Sequence, residues 1–337
     1  MHGGTTETRD LNLLEDVLGD RGDAFPVGAP PHEPIVEPPP APLQGPMTQR
    51  RVLGLAMPII GENFLQTLVG AADTFMVARL GTAAVAGVGT SIEIVFFLIA
   101  ILSAIDIGAT VLVSQAIGAG DRAGANRYAR QAIIWGILLA IPVSIVGVVF
   151  APPVIRVFSA DPAVFAAAVT YLRVTAATSV ALLLSFVCGA VLRGAGDSRT
   201  PLYAAVVANI INVVAAYALI FGHLGLPELG VAGSALGAAI ARAVGAGLML
   251  LLMFGGKKAI SLRGRADWWP SLSAGRELMR LGVPSATEQV LMSGGFTTIM
   301  AVVAGIGAAA LAAQQIGFTA LSLAFLPGFG FAVATTA

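Results

Sequence analysis

Long apolar segments, interrupted by glycine, proline and short charged stretches, make up the chain from Val52 onward. Each segment is long enough to cross a hydrocarbon core of about 30 Å, which takes about 20 residues as a helix. The segments do not show the alternation of apolar and polar positions that marks barrel strands, so the pattern favours a bundle of transmembrane helices. The predicted spans are residues 52–78, 87–117, 128–150, 163–192, 201–221, 231–254, 280–305 and 309–337.

Residues 1–46 have a different character. They are rich in proline, glycine and charged side chains and contain few large apolar ones. Such a segment cannot bury enough apolar surface to offset the entropy of ordering its backbone, so we expect a disordered tail. No apolar stretch with a small-residue cleavage site follows the first methionine, and we do not expect a secretory signal peptide.

The overall composition also indicates a membrane protein that lies in the lipid bilayer. Of the 337 residues, 56% are hydrophobic and 11% are charged, whereas soluble domains carry about 25% charged residues. The formal net charge is zero, which leaves no basic surplus for binding nucleic acid. A single cysteine, Cys188, and three histidines argue against a disulfide framework and against a zinc or iron–sulfur centre. We therefore expect no cofactor.

The cations are distributed unevenly between the two sets of loops that join the spans. Thirteen Lys and Arg residues fall in one set, and only Arg79 and Arg156 fall in the other. Because positive charge accumulates in cytoplasmic loops, we expect a multi-pass protein of the cell (inner or plasma) membrane with a cytoplasmic N-terminus. Residues 255–279 are then cytoplasmic too, and Trp268 and Trp269 suggest that they lie at the membrane surface.

An internal repeat relates the two ends of this pattern. Pro58 and Glu62 recur as Pro284 and Glu288, both at an offset of 226 positions. Six predicted spans separate the copies, so the two halves share one orientation in the membrane. The predicted organisation is a tail (1–46), a first lobe of six helices (47–254), a cytoplasmic linker (255–279) and two helices that begin a second lobe (280–337).

Polar side chains follow one face of the first span. Glu62, Gln66, Gly70 and Asp73 are separated by four, four and three residues, so they share a helix face, and the two carboxylates lie about 16 Å apart. A carboxylate at membrane depth is costly unless it meets water, a partner or a proton. These residues are therefore candidates for a transport cavity, although solvation at the cytoplasmic interface explains Glu62 equally well.

Other spans carry further candidates. Asn209 and Asn212 share a face of the fifth span, where their amides can bind Na⁺ or form hydrogen bonds to another helix. Asp106 lies near the middle of the second span and Glu93 near its end, on faces about 140° apart, so the two cannot line one cavity. Glu288 begins a polar stripe in the seventh span.

Two arginines, Arg173 and Arg242, also fall inside predicted spans. Long cationic side chains in such positions commonly extend toward the interface or pair with an acid. We expect one of these ordinary roles for each.

Three motifs occur in order along the chain: VGAADTFMVARLG from Val69, LRGAGDSRTP from Leu192, and NIIN from Asn209, followed by LIFG from Leu219. They resemble the multidrug and toxic compound extrusion (MATE) exporters, within them the bacterial branch related to DNA-damage-inducible F proteins. The likeness covers about residues 52–337 and implies an all-α membrane protein with two six-helix lobes. By this resemblance the chain holds a complete first lobe and the first two helices of a C-terminally truncated second lobe.

The resemblance also implies a function. It implies a transporter, not an enzyme, that exports cationic or amphipathic organic compounds in exchange for H⁺ or Na⁺, with a coupling-ion carboxylate at Asp73 and Na⁺ near Asn209 and Asn212. Relatives often carry an acid four positions after the second asparagine, where this chain has Ala216. Because of this departure, the coupling ion can be either H⁺ or Na⁺. Asp106 is a candidate to replace the acid that is missing at Ala216.

Two alternatives remain at this point, a flippase or lipid exporter of the same superfamily and a fragment that does not transport.

Overall fold

A computed structural model describes residues 49–158, 161–256, 260–264 and 267–306. The regular structure of these residues is a bundle of α-helices. In chain order the helices are α1 (Gln49–Ala78), α2 (Thr82–Gly118), α3 (Arg122–Phe158), α4 (Pro162–Ala177), α5 (Ser179–Gly194), α6 (Arg199–Phe221), α7 (Val231–Phe254) and α8 (Leu272–Ile306). The expected tail (1–46) and last span (309–337) lie outside the described residues.

Four of the described helices, α2, α3, α6 and α7, are long and apolar enough to cross a membrane, and the bent pair α4 and α5 makes a fifth crossing if it is one span. Helices α1 and α8 contain 30 and 35 residues, but polar and charged side chains lower their hydropathy. Both hold the repeated proline in their interior, Pro58 in α1 and Pro284 in α8. The repeat seen in the sequence therefore falls on corresponding helices.

The expected span over 163–192 is not one straight helix, because two helices meet there at Thr178 with a bend of 54°. The Thr178 hydroxyl donates to the carbonyl oxygens of Val174, at 2.8 Å, and Thr175, at 3.2 Å. A threonine that bonds to the preceding turn offers the backbone an alternative to continuing the helix. Since both arms are equally apolar, hydropathy alone did not reveal the bend.

Small residues allow α6 and α7 to pack with their backbones close together. A Cβ atom on Gly237 of α7 would lie 2.7 Å from both the Cα atom and the backbone nitrogen of Ala216 in α6. Membrane helices associate closely through such small residues because packing replaces the hydrophobic driving force. The contact fixes the height and rotation of α7 against α6.

Helix α8 packs mainly against α2. A Cβ atom on Gly282 would overlap the carbonyl group of Ala104, and one on Gly108 would overlap the carbonyl group of Leu278. The two backbones therefore touch at two successive turns. This contact orients the middle of α2, where Asp106 lies.

Polar side chains at the start of α3 bind the connection between α7 and α8. The side-chain amide of Gln131, which is only 1% exposed, donates to the carbonyl oxygens of Asp267 and Trp269, each at 2.8 Å. Its oxygen accepts from the amide of Ser271 at 2.9 Å. One buried glutamine thus satisfies three backbone groups of the connection.

The same connection has further attachments to α3. Asn126 accepts a hydrogen bond from the backbone amide of Ser261, and Arg130 donates to the carbonyl oxygen of Arg263. Ile260 and Leu262 are fully buried in the main apolar core. Helix α8 begins at Leu272, within the linker expected over residues 255–279.

We predict that Gln131→Met destabilises the protein by about 2–3 kcal/mol, because each of its three hydrogen bonds contributes about 1 kcal/mol. Thermal unfolding in detergent and tryptic cleavage after Arg263 measure the effect. Gln115→Met changes an exposed glutamine on α2 and serves as the control. Equal melting temperatures and cleavage rates for the two variants would show that the glutamine does not hold the connection.

Candidate functional site

Asp73 on α1 and Asn212 on α6 form the centre of the candidate site. The Asn212 side-chain amide donates to Asp73 Oδ2 at 3.3 Å, which is long for such a bond. Asn212 is buried, with 8% of its surface exposed, and Asp73 is half-buried. The sequence predicted both residues as candidates, and the packing of α1 along α6 brings them together.

Several polar atoms of this site have no hydrogen-bond partner among the described residues. These atoms are Asp73 Oδ1, Asn212 Oδ1 and Asn209 Nδ2, and all three are buried. Buried polar groups are nearly always satisfied, so each exception calls for an unseen partner such as water or an ion. Two of the three are oxygen atoms, and oxygen ligands suit a proton or a hard cation.

Arg242 on α7 and Tyr171 on α4 belong to the same charged neighbourhood. The Arg242 guanidinium interacts electrostatically with both Asp73 and Tyr171. Within the described residues it makes no direct ion pair with Asp73. The sequence assigned Arg242 a role of snorkelling or pairing, and the structure gives it an electrostatic interaction with the candidate carboxylate.

Ala216, at the position where the family resemblance implies an acid, is fully buried. It packs against Gly237, whose added Cβ would lie 2.9 Å from the Ala216 Cβ. The residue at this position therefore lies in the close contact between α6 and α7.

A second cluster of charges includes Glu62, which lies nearer than Asp73 to the N-terminus of α1. Glu62 forms an ion pair with Arg193 of α5 at 3.5 Å, and both side chains are largely buried. Asp106 of α2 interacts electrostatically with Arg193 and Glu62, and its Oδ1 is buried without a partner among the described residues. Asp106 thus lies with Glu62 and does not take the place of an acid at Ala216 beside Asp73.

The sequence analysis missed the role of Arg193, because it counted this residue among the cytoplasmic loop cations. The structure places it in the last turn of α5, with its guanidinium over Gly189. The signal in the sequence that could have indicated this direction is Gly189, which lies four residues before Arg193.

The remaining candidates are not brought into either cluster. Gln66 on α1 and Glu288 on α8 are exposed, as is Glu93 on α2. Arg173 is also exposed and donates to the carbonyl oxygen of Val148. In the described part of the chain no group of three or more His, Cys, Asp or Glu side chains is arranged to hold a metal ion.

An apolar cavity of about 500 Å³ opens between α5 and α7 and is lined by residues such as Leu184, Leu236 and Leu250. Neither charged cluster contributes to its lining. It offers no groups for ion binding and is separate from the candidate site.

Comparisons with known proteins agree on one family. Residues 58–218 match the family model MatE. The chain is 34% identical over 296 residues to the probable multidrug resistance protein NorM of Thermotoga maritima, a match that covers 86% of this chain and 62% of the relative. It is 27% identical over 295 residues to the multidrug resistance protein PmpM of Pseudomonas aeruginosa, covering 85% of this chain and 60% of the relative.

Solved structures share the fold. An outward-facing multidrug resistance MATE family transporter matches with a TM-score of 0.76 and 25% identity, over 85% of this chain and 63% of that one. A MATE protein in a bent conformation matches with a TM-score of 0.77 and 24% identity, over the same shares of the two chains. This chain therefore spans about six tenths of the length of the proteins it matches. From the family model, the relatives and the shared fold together, the chain is similar to MATE family transporters, over residues 58–218 in the family model and over about 85% of its length in the relatives.

Proposed function

We propose that this chain functions as a secondary active transporter that exports cationic or amphipathic organic compounds in exchange for H⁺ or Na⁺. The observation that carries the proposal is the Asp73 carboxylate, which has one long hydrogen bond and one buried oxygen without a partner in the described structure. A carboxylate within a membrane bundle marks an ion or substrate pathway. The named multidrug resistance relatives support the same function.

Asp73 and Asn212 supply the groups that such coupling needs. A proton or Na⁺ on the carboxylate neutralises its charge, and a cationic substrate does the same. The two occupants therefore compete for one charge, and binding of one favours release of the other. The free Asn212 oxygen is a further ligand for Na⁺.

Arg242 adds a permanent charge to this exchange. Because it interacts with Asp73 without a direct ion pair in the described structure, it compensates the empty carboxylate and still leaves the buried Oδ1 unpaired among the described residues. Replacing the carboxylate or the guanidinium alone upsets this balance of charge.

We expect Asp73→Asn to abolish ion-driven efflux, because an amide cannot exchange charge with a cation. Ethidium efflux is measured in a strain that lacks its own exporters, at matched membrane abundance. Glu93→Gln changes an exposed carboxylate on α2 and should transport like the unaltered chain. Imposing a pH or an Na⁺ gradient on vesicles identifies the coupling ion.

Two results of this experiment would overturn the proposal. One is efflux by the unaltered chain that does not exceed the background of the strain. The other is full efflux by Asp73→Asn.

We also expect Asp73→Asn and Arg242→Gln to be non-additive in thermal unfolding, with a coupling energy on the order of 1 kcal/mol, as for neighbouring charges. Each single change leaves one charge uncompensated, whereas the double change leaves none. Glu93→Gln combined with Arg242→Gln provides an additive control. Additivity of the Asp73 and Arg242 changes would mean that the two charges do not interact.

We further propose that the connection between α7 and α8 faces the cytoplasm, together with the N-terminus, as the distribution of cations requires. In a Cys188→Ala background, a cysteine at the exposed Trp269 should be protected from an impermeant maleimide added to intact cells. A cysteine at Leu226, in the loop between α6 and α7, should react. The reverse labelling pattern would contradict this topology.

A further inference from the structure

Three charged side chains meet inside the bundle at a place separate from Asp73. Glu62 of α1 and Arg193 of α5 are joined at 3.5 Å, and Asp106 of α2 interacts with both charges. Glu62 lies three helical turns from Asp73 along α1, a separation of about 16 Å. The two clusters are therefore distinct sites on one helix.

Arg193 points in an unusual direction for an arginine at the end of a membrane helix. Such side chains ordinarily extend outward to the interface. Here the guanidinium lies over its own helix, because a Cβ on Gly189 would come within 2.9 Å of Arg193 Nη1 and 3.3 Å of Nη2. Gly189 is buried, so the missing side chain makes room for a charge that is turned back into the bundle.

The cluster carries one more negative than positive charge when all three groups are ionised. Arg193 is engaged with Glu62, and Asp106 Oδ1 is buried without a partner in the described residues. The charged groups that act on Asp106 come from α1 and α5. From α8, the backbone at Leu278 and Gly282 packs on the α2 positions Gly108 and Ala104.

An uncompensated buried carboxylate is costly, and it is relieved by a cation or by protonation. Na⁺ needs several oxygen ligands. Asp106 and Glu62 instead both interact with the Arg193 guanidinium, whose positive charge repels Na⁺. A proton needs only one carboxylate oxygen. The chemistry of the cluster therefore favours a proton.

We propose that Asp106 is a second proton-binding carboxyl of this protein, separate from Asp73, and that Arg193 is its alternating counter-ion. When Asp106 is protonated, Arg193 pairs with Glu62 alone, as in the structure. When the O–H bond breaks, the proton passes to water, and the guanidinium is shared between the two carboxylates. The contribution of this step to export rests on the proposed antiport, but the protonation itself does not.

The test is infrared difference spectroscopy of the purified full chain in lipid during an acid-to-alkaline titration. The C=O stretching band of protonated carboxyl groups reports the titrating acids. We expect Asp106→Asn to remove one component of this band and Asp73→Asn to leave that component in place. Glu93→Gln should match the unaltered chain.

A band in folded Asp106→Asn that is identical to that of the unaltered chain overturns the proposal. If Asp106→Asn does not fold, Gly189→Ala decides the question. Its added Cβ displaces the guanidinium, so we expect the Asp106 component to persist to more alkaline conditions. Gly247→Ala is the matched control, because a Cβ there meets nothing within 4 Å, and identical titrations of Gly189→Ala and Gly247→Ala overturn the proposal.

The two proposals fail separately. An absent Asp106 component together with Asp73-dependent efflux overturns this inference alone. A present Asp106 component together with no efflux by the unaltered chain overturns the proposed function alone.

Discussion

The cost of burying charge inside a helical bundle is the constraint on which this structure depends. Asp73 meets that cost through the hydrogen bond from Asn212 and the nearby charge of Arg242. These groups come from α1, α6 and α7, so the site exists only if the three helices keep their relative positions. The close contact of Gly237 with Ala216 holds α7 against α6 and thereby sets the position of Arg242.

The same constraint explains why charge is gathered into two clusters. Each combines carboxylate with guanidinium, and each keeps a carboxylate oxygen without a partner in the described residues. In the Asp73 cluster, asparagine amides supply additional polar atoms, whereas the Asp106 cluster relies on a second acid and one arginine. We propose exchange between cations for the first cluster and proton binding for the second.

Hydrophobic patterning predicted most of the fold. It predicted Val231–Phe254 at its observed limits. The polar positions and the family resemblance, not hydrophobicity, named Asp73 and Asn212 as candidates before their contact was known. Hydrophobic patterning could not predict the bend at Thr178 or the attachment of the α7–α8 connection to Gln131, because both depend on hydrogen bonds to backbone groups and not on apolarity. The inward direction of Arg193 was also hidden, since it depends on the small volume of Gly189.

The most direct test of the Asp73 site is equilibrium binding of an organic cation, tetraphenylphosphonium, to the purified chain without any gradient. If Asp73 is the cation site, Asp73→Asn weakens binding by about tenfold or more, the loss of about 1.4 kcal/mol or more of binding energy. Protons or Na⁺ should also displace the probe from the unaltered chain. Equal affinities of the unaltered chain and Asp73→Asn would contradict the account.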